Sequence, residues 1–561
     1  MNDDTHSLAA TAPPPLPRTD ATFPALRPAQ LARIAAHGTR RPTSRGDLLF
    51  EAGDANAHFF VITAGEVELV RPAGAAETRV ARLRAGQFTG EVYMLSGRRT
   101  LVRARVTEAG EVIELDREQL LALVQTDWEL SEILMRAFIL RRAELIAKGL
   151  GDVVLVGSDH CSGTLRVREF LIRNGHPHTY IDLDRDEGVQ ELLDRFHVEA
   201  ADVPVLICRG EVVLRNPTNA QIADCLGLND AIDRTHIRDL VIVGAGPAGL
   251  AAAVYAASEG LDVLVLESIS PGGQAAASSM IENYLGFPNG VSGQELAARA
   301  YNQSQKFGAQ VAVARGAKRL RCDRKPYALE VDDGRIPGRS VIIATGVEYR
   351  RLSIDNVSRF AGAGVYHGAT FMEAQLCRGE EVVVVGGGNS AGQAAVFLAR
   401  TAKHVHLLVR SRGLAESMSR YLVRRIEGSP AITLHLRSEI VALEGDRHLE
   451  RVRWRDSERQ AVETRDIRHV FVMTGALPST GWLAGCLALD AKGFIKTGPA
   501  LSPEDLAAAN WPLTRSPHLL ETSLPGVFAV GDVRAGNVKR VASAVGEGAI
   551  AVAFVHQVLR E

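Results

Sequence analysis

The chain carries two glycine-rich turns of the kind that cradle a dinucleotide. The first lies in DLVIVGAGPAGL (239–250), an apolar strand that runs straight into G-x-G-x-x-G. Gly244 permits the tight turn, Gly246 lets a pyrophosphate approach the backbone, and Gly249 lets helix and strand pack closely. The next strand, LDVLVLE, ends in Glu267, 18 residues beyond Gly249. An acid there suits a ribose diol and repels a 2′-phosphate. A lone G-x-G-x-x-G is a weak signal, but strand, helix and acid in this order make it strong. The second turn is EVVVVGGGNSA (381–391), with Gly386, Gly388, Asn389 and Ser390 at its bend. Its following strand, HVHLLVR, ends in Arg410, with Arg412 two residues on. A cation in place of the acid pairs with a 2′-phosphate and favours NADPH over NADH.

A third constellation is GEVYMLSGRRT (90–100). Gly90 and Glu91 open a short helix whose N–H groups are free, and the acid can bond a ribose hydroxyl. Arg98 or Arg99, helped by the Thr100 hydroxyl, can neutralise a cyclic phosphate. The stretch resembles the phosphate-binding cassette of cyclic-nucleotide-binding domains, as in catabolite activator proteins, and implies a cyclic nucleotide ligand. It is shorter than usual between the Arg and the following apolar strand, and the two arginines compete for one role. A roll that binds no nucleotide and serves as a docking surface is the alternative. No winged helix-turn-helix follows.

These residues need scaffolds. Residues 1–24 read as a Pro- and Thr-rich tail. Residues 25–148 give short strands separated by Gly and then a helical tail with Leu130, Ile133, Leu134, Ala137, Phe138 and Leu145 on one stripe, which suggests a β-roll. Residues 151–229 read βαβαββα, with strands at DVVLVGSD and HTYIDLD, helices at TLRVREFLIRNG and GVQELLDRFHV, a hairpin turning near Gly210, and a last helix at TNAQIADCLGL. This order resembles the thioredoxin/glutaredoxin fold, with Val203-Pro204 where that family places a cis-proline. Its redox position reads CSGT, with Cys161 at the start of the first helix, where a helix dipole lowers a thiol pKa. Thr164 stands where a dithiol enzyme has its second Cys. Cys161 is a monothiol candidate or an incidental residue.

Composition narrows the classes. The charge sum is 64 Lys+Arg against 66 Asp+Glu, or −2, which argues against non-specific nucleic-acid or anionic-membrane binding. Hydrophobic residues at 46% and charged residues at 23% are ordinary for globular chains. The six Cys are scattered, with no CxxC pair and no zinc-type spacing, which suits a reducing compartment and suggests no metal. The charge-free run Leu240–Ser258 is long enough to span a bilayer, but its Ala, Gly and Pro247 favour strand, turn and helix. The N-terminus lacks the basic and apolar regions of a signal peptide. The expectation is a cytoplasmic protein with no membrane or nucleic-acid partner.

Two nested dinucleotide folds resemble the flavin-dependent disulfide reductases, and the low-molecular-weight thioredoxin reductases above all. Several segments carry the resemblance across 237–561. Gly272-Gly273-Gln274 and Ile281-Glu282-Asn283-Tyr284 match that family's segments near the flavin. Ala344-Thr345-Gly346 matches its crossover, and Gly531-Asp532 the element whose acid bonds the ribityl chain. Val541 and Ala542, after Lys539-Arg540, open the helix that faces the flavin pyrimidine edge. The resemblance implies FAD and NADPH as cofactors, an FAD-binding domain at 237–350 and 484–561, and an NADPH-binding domain at 351–483. It further implies a homodimer and a twist of the NADPH domain about connectors near Gly346–Arg359 and Ala476–Leu483.

The fold class expected is therefore multidomain: a β-roll of cyclic-nucleotide-binding type, a thioredoxin-like α/β domain, and two nested Rossmann-like α/β domains. The departure lies in GVYHGATFMEA (364–374), where His367 and Thr370 occupy the family's two redox cysteine positions. Neither can exchange with a disulfide. Cys377, seven residues on, reads as a packed residue. Hydride transfer from NADPH to flavin is implied. The acceptor is open among a one-electron carrier, a quinone, oxygen, or a disulfide reached through Cys161. His367 is a proton-donor candidate or a structural residue. A slow or inactive flavin domain acting as a redox and cyclic-nucleotide sensor is the other reading.

Overall fold

The structure is a computed structural model. It describes residues 21–561 except 56, 74–75, 92–93, 96–97, 148–152, 159–160, 184–201, 210–211, 351, 370, 447 and 484. Most of the expected tail, the helix read at GVQELLDRFHV, the turn at Gly210 and the position of Thr370 lie outside the described residues. The chain separates into two compact units, Met1–Asp152 and Val153–Glu561.

The first unit is an antiparallel roll. Strands Thr39–Thr43, Arg103–Leu115, Phe59–Ala73 and Ala76–Arg84 lie side by side in that order, and Leu48–Phe50 also pairs with Arg103–Leu115. Inward residues alternate along the strands, as a one-sided sheet requires. Helix Trp128–Ala147 closes the roll with Leu130, Leu134, Ala137 and Phe138, all fully buried. Their spacing puts them on one helix face. Phe138 meets Phe59 and Phe88 edge-on, with ring centroids 6.0 and 6.2 Å away, a favoured aromatic geometry.

The second unit holds the two glycine-rich turns. Strand Arg238–Val243 lies between Val263–Glu267 and Gly334–Ile343, parallel to both. Strand Val527–Ala529 returns from the C-terminal stretch to pair parallel with Gly334–Ile343. Between them the chain leaves through Val347–Tyr349 and builds a second parallel sheet. Its order is Val365–Tyr366, His469–Val472, Glu381–Val385, His404–Val409, Ile432–Leu436. It comes back through Ala476–Pro478, which pairs antiparallel with the exit strand, Val347 facing Pro478. The second fold is thus inserted in the first.

Residues 153–228 form a four-stranded sheet ordered Thr179–Asp182, Val153–Gly157, Val205–Cys208, Val212–Arg215. The first pair is parallel and the others antiparallel. The Val203–Pro204 peptide is cis. This module packs directly on the fold that follows it. Leu155, Phe170, Ile222 and Leu226 belong to one apolar cluster with Leu240, Ala252 and Val263 of the first dinucleotide fold, because each sheet leaves an apolar face that the other covers.

The cysteine reading needs correction. Cys322 and Cys486, 164 residues apart, form a disulfide, a pairing no sequence spacing reveals. It ties the end of strand Arg319–Arg321 to the chain just after the return strand. Cys322→Ser is expected to destabilise the second unit by about 2–4 kcal/mol. The readout is the urea midpoint without reductant, and the difference should vanish when both proteins are reduced.

Helix Val541–Val558 is long and apolar enough to cross a membrane. It packs along Pro247–Ser258 so closely that a Cβ on Gly548 would sit 2.2 Å from the Ala248 carbonyl oxygen.

Candidate functional site

The strands ending at Val243, Glu267, Ile343 and Ala529 are parallel. Their carboxyl ends therefore share one edge, where open α/β sheets bind ligands. Gly244 turns there at φ +104°. Gly249 faces the Gly244 carbonyl so tightly that a Cβ would lie 1.8 Å from its oxygen. A Cβ on Gly246 would meet nothing nearer than the Gly273 Cα at 3.9 Å. The uncrowded Gly246 backbone stands at the N-terminus of helix Pro247–Ser258, where a pyrophosphate would be bound.

Glu267 is buried, and its carboxylate accepts the Ala245 and Ile269 N–H groups, each at 2.8 Å. Burial pushes its pKa up, against those two hydrogen bonds and the nearby Arg173 charge. The acid keeps lone pairs for a ribose diol.

Several of the remaining predicted residues stand at the connectors and turns that follow these strands. Gln274 donates to the Val347 carbonyl of the exit strand. Thr345 Oγ1 donates to Ser479 O at 2.9 Å, so its hydroxyl proton holds the two connectors together. Gly346 turns at φ +63° and Gly531 at φ +72°. Burial raises the Asp532 pKa, opposed by Lys539. Val541 begins the last helix, with Arg540 as its N-cap; Ala542 and Asn283 are exposed.

The second turn repeats the pattern. Gly386 turns at φ +145°, and a Cβ on it would lie 2.5 Å from Met473 O. A Cβ on Gly388 would meet nothing nearer than 3.9 Å. Asn389 Oδ1 accepts the Ser419 N–H at 2.7 Å, and Ser417 Oγ donates to Gly387 O at 2.8 Å. The 411–419 loop is thereby fastened to the turn. Arg410 and Arg412 are exposed just past the end of His404–Val409.

Sequence reasoning missed two residues here. Tyr349 is half-buried on the exit strand beside Ser390, and its pKa is raised by burial and by nearby Asp532. It stands between Ser390 of one turn and the charge of Asp532 in the other. Glu547 accepts the Gly531 N–H at 2.7 Å and the Asn537 amide at 2.8 Å, fixing the turn that carries Asp532. Its place in an Ala- and Gly-rich helix was the available signal.

His367 is half-buried. A Cβ on its neighbour Gly368 would come within 3.7 Å of the Ala277 Cβ, so this segment abuts the loop after Gly272-Gly273-Gln274. Cys377 is fully buried, and burial pushes its thiol up to about 12. It is unsuited to exchange chemistry. Cys161 N-caps helix Ser162–Arg173. A Cβ on Gly163 would lie 2.8 Å from Pro204 Cδ, and one on Gly362 would lie 3.2 Å from Ser162 Cβ. The Cys161 turn thus packs against the strip that leads to His367.

In the first unit, Gly90, Glu91, Arg98, Thr100, Arg141 and Glu144 line a largely apolar cleft of about 680 Å³ including its mouth. Arg98 is 3% exposed. Of the two arginines, Arg98 is the one that lines the cleft. The Thr100 hydroxyl donates to Glu51 O at 2.7 Å. Its proton is therefore already used, a correction to its expected role as a phosphate donor. Sequence reasoning missed Arg141. It is buried and donates to the carbonyls of Thr22, Phe88, Thr89 and Gly90. Burial pushes its pKa down to about 9. A cation, an acid and an apolar wall fit a cyclic nucleotide.

Comparison with known proteins agrees with both sites. The sequence profile described as "Pyridine nucleotide-disulphide oxidoreductase" matches residues 238–548, and the one described as "Cyclic nucleotide-binding domain" matches residues 40–127. Ureaplasma parvum thioredoxin reductase is 33% identical over 324 residues, covering 57% of this chain and 96% of that protein. Treponema pallidum thioredoxin reductase is 33% identical over 315 residues, covering 56% and 94%. Among solved structures, Lactococcus lactis thioredoxin reductase superposes with a TM-score of 0.51 at 27% identity, covering 58% of this chain and 99% of that one. Members of this family contain FAD and use NADPH, and the two cradles fit those cofactors. The chain belongs to the pyridine nucleotide-disulphide oxidoreductases, as a thioredoxin reductase-like member that also carries a cyclic nucleotide-binding domain.

Proposed function

We propose that this protein takes reducing equivalents from NADPH into FAD and passes them to an acceptor outside the flavin fold, under the influence of a cyclic nucleotide. The observation that carries this reading is the pair of glycine turns, Gly244–Gly249 and Gly386–Ser390, each ending a parallel strand and opening a helix. When bound, NADPH supplies a hydride and the flavin hands the electron pair on. The chain's own residues position the partners. The Gly244–Gly249 turn and Glu267 would hold the adenosine diphosphate half of FAD, and Asp532 would bond its ribityl chain. Gly386–Ser390 would hold the NADPH diphosphate, and Arg410 and Arg412 its 2′-phosphate. His367 and Thr370 replace the thiols that a disulfide substrate would need, which points to a one-electron carrier, a quinone or oxygen as acceptor.

Anaerobic titration with NADPH tests the first half. The flavin absorbance should bleach at about one equivalent per site, and re-oxidation by a panel of acceptors then identifies the class. A flavin that stays oxidised under excess NADPH would leave the sensor reading instead. Arg410→Ala together with Arg412→Ala should raise the KM for NADPH about ten- to a hundredfold while leaving that for NADH within about threefold.

For the first unit, Arg98→Ala should weaken a cyclic nucleotide about ten- to a hundredfold by calorimetry, the worth of a charge-assisted phosphate bond. Regulation requires a coupling free energy between nucleotide and turnover. Equal NADPH oxidation rates with the nucleotide bound and absent would remove it.

One observation favours a second route. Residues 153–229 resemble a thioredoxin-like module whose Cys161 turn packs beside the strip leading to His367. If Cys161 relays electrons to a disulfide, Cys161→Ser abolishes disulfide reduction and spares flavin bleaching. Unchanged disulfide reduction in that variant would exclude the relay. Location in the cytoplasm and a homodimer complete the proposal, and sedimentation of the holoprotein tests the dimer.

A further inference from the structure

We propose that the 153–229 module supplies a ligand to the FAD site: the Arg173 guanidinium binds the diphosphate half of the flavin cofactor. Arg173 is the last residue of helix Ser162–Arg173. Its Nη2 donates to Gly273 O at 2.6 Å and its Nη1 to Glu169 Oε1 at 3.2 Å. Gly273 is itself pressed on the pyrophosphate turn, since a Cβ there would lie 3.0 Å from the Gly246 Cα. The guanidinium is therefore fastened to the residue that packs on Gly246, at the rim of the cradle.

Two further observations place an arginine donor at this turn. The Arg173 charge reaches Glu267, the ribose acid at the other side of the same turn. The Arg173 side chain is 17% exposed, and its Nε is buried with no hydrogen-bond partner among the described residues. Guanidinium offers five donors in a fixed fork. Two are used here, on a carbonyl and a carboxylate, and leaving a charged donor buried and unfilled is costly. A phosphate oxygen arriving at Gly246 fills it with the geometry arginine favours. The grip on the Gly273 carbonyl does the aiming.

The alternative role is a staple between two folds, and the molecule provides controls for it. Gln294 Nε2 donates to Ile172 O at 3.1 Å, and Asp224 pairs with Arg315 at 2.7 Å. Both link the module to the flavin fold without bonding Gly273 or Gly246.

The test uses the full-chain holoprotein. FAD dissociation is measured by serial ultrafiltration and flavin fluorescence at several salt concentrations, with ADP as a competitor. Arg173→Ala should weaken FAD and ADP about ten- to a hundredfold. It should also flatten the salt dependence of FAD binding, since one screened attraction is gone. Arg173→Lys should restore most of the salt dependence but only part of the affinity. Gln294→Ala and Asp224→Ala should leave both unchanged. FAD affinity within twofold of wild type in Arg173→Ala, or an equal loss in the two controls, overturns the proposal. So does an affinity loss with the salt dependence intact.

Discussion

Gly249→Ala yields a colourless protein. The added Cβ would stand 1.8 Å from the Gly244 carbonyl oxygen, 3.0 Å from its carbon and 3.3 Å from the Ala344 Cβ. The nearest atoms are backbone, so no side chain can swing away. Relief requires helix Pro247–Ser258 to back off the sheet by more than about 1 Å, which removes its N-terminus from the anion. FAD affinity should fall more than about a hundredfold, read as flavin absorbance relative to protein after purification. Gly246→Ala makes the useful contrast. Its Cβ meets no protein atom within 3.9 Å, so the apoprotein should melt as wild type while still losing flavin. A Gly249→Ala protein with full flavin content would show that the turn does not hold the cofactor.

Arg141→Met should cost the first unit about 3–5 kcal/mol, the penalty for breaking a buried charged network. Four carbonyls, of Thr22, Phe88, Thr89 and Gly90, lose their donor. The guanidinium also lies over the Phe23 and Phe88 rings, 4.6 Å from each centroid. With a pKa near 9 it stays charged at neutral pH, so methionine removes a real charge as well as donors. In calorimetry the transition of the first unit should drop by about 10–20 °C, and flavin retention in the second should not change. A shift below about 3 °C would mean that water satisfies those carbonyls.

What the sequence made legible was whatever short spacing encodes. The strand, turn and helix at 238–258, the acid 18 residues past Gly249 and the repeat at 381–398 are local patterns, and each stands where its period and glycines put it. Distant pairings left no such trace. Cys322 finds Cys486 across 164 residues. Arg173 reaches Gly273 from another module, and Glu547 caps a turn 16 residues upstream. Arg98 and Arg99 are alike as letters, and only the curl of the chain decides which one lines the cleft. Tyr349 looked like an ordinary strand residue because its significance comes from Ser390 and Asp532, which are brought to it by insertion of one fold in the other.

The apolar cluster shared by residues 153–228 and the first dinucleotide fold bears on how a minimal reductase should be cut. Trimming at 230 would strip Leu155, Phe170 and Leu226 from Leu240 and Val263, leaving a greasy face that invites aggregation. A fragment starting at Val153 keeps that cover, and it is the shorter piece to express when flavin chemistry is to be studied without the amino-terminal unit.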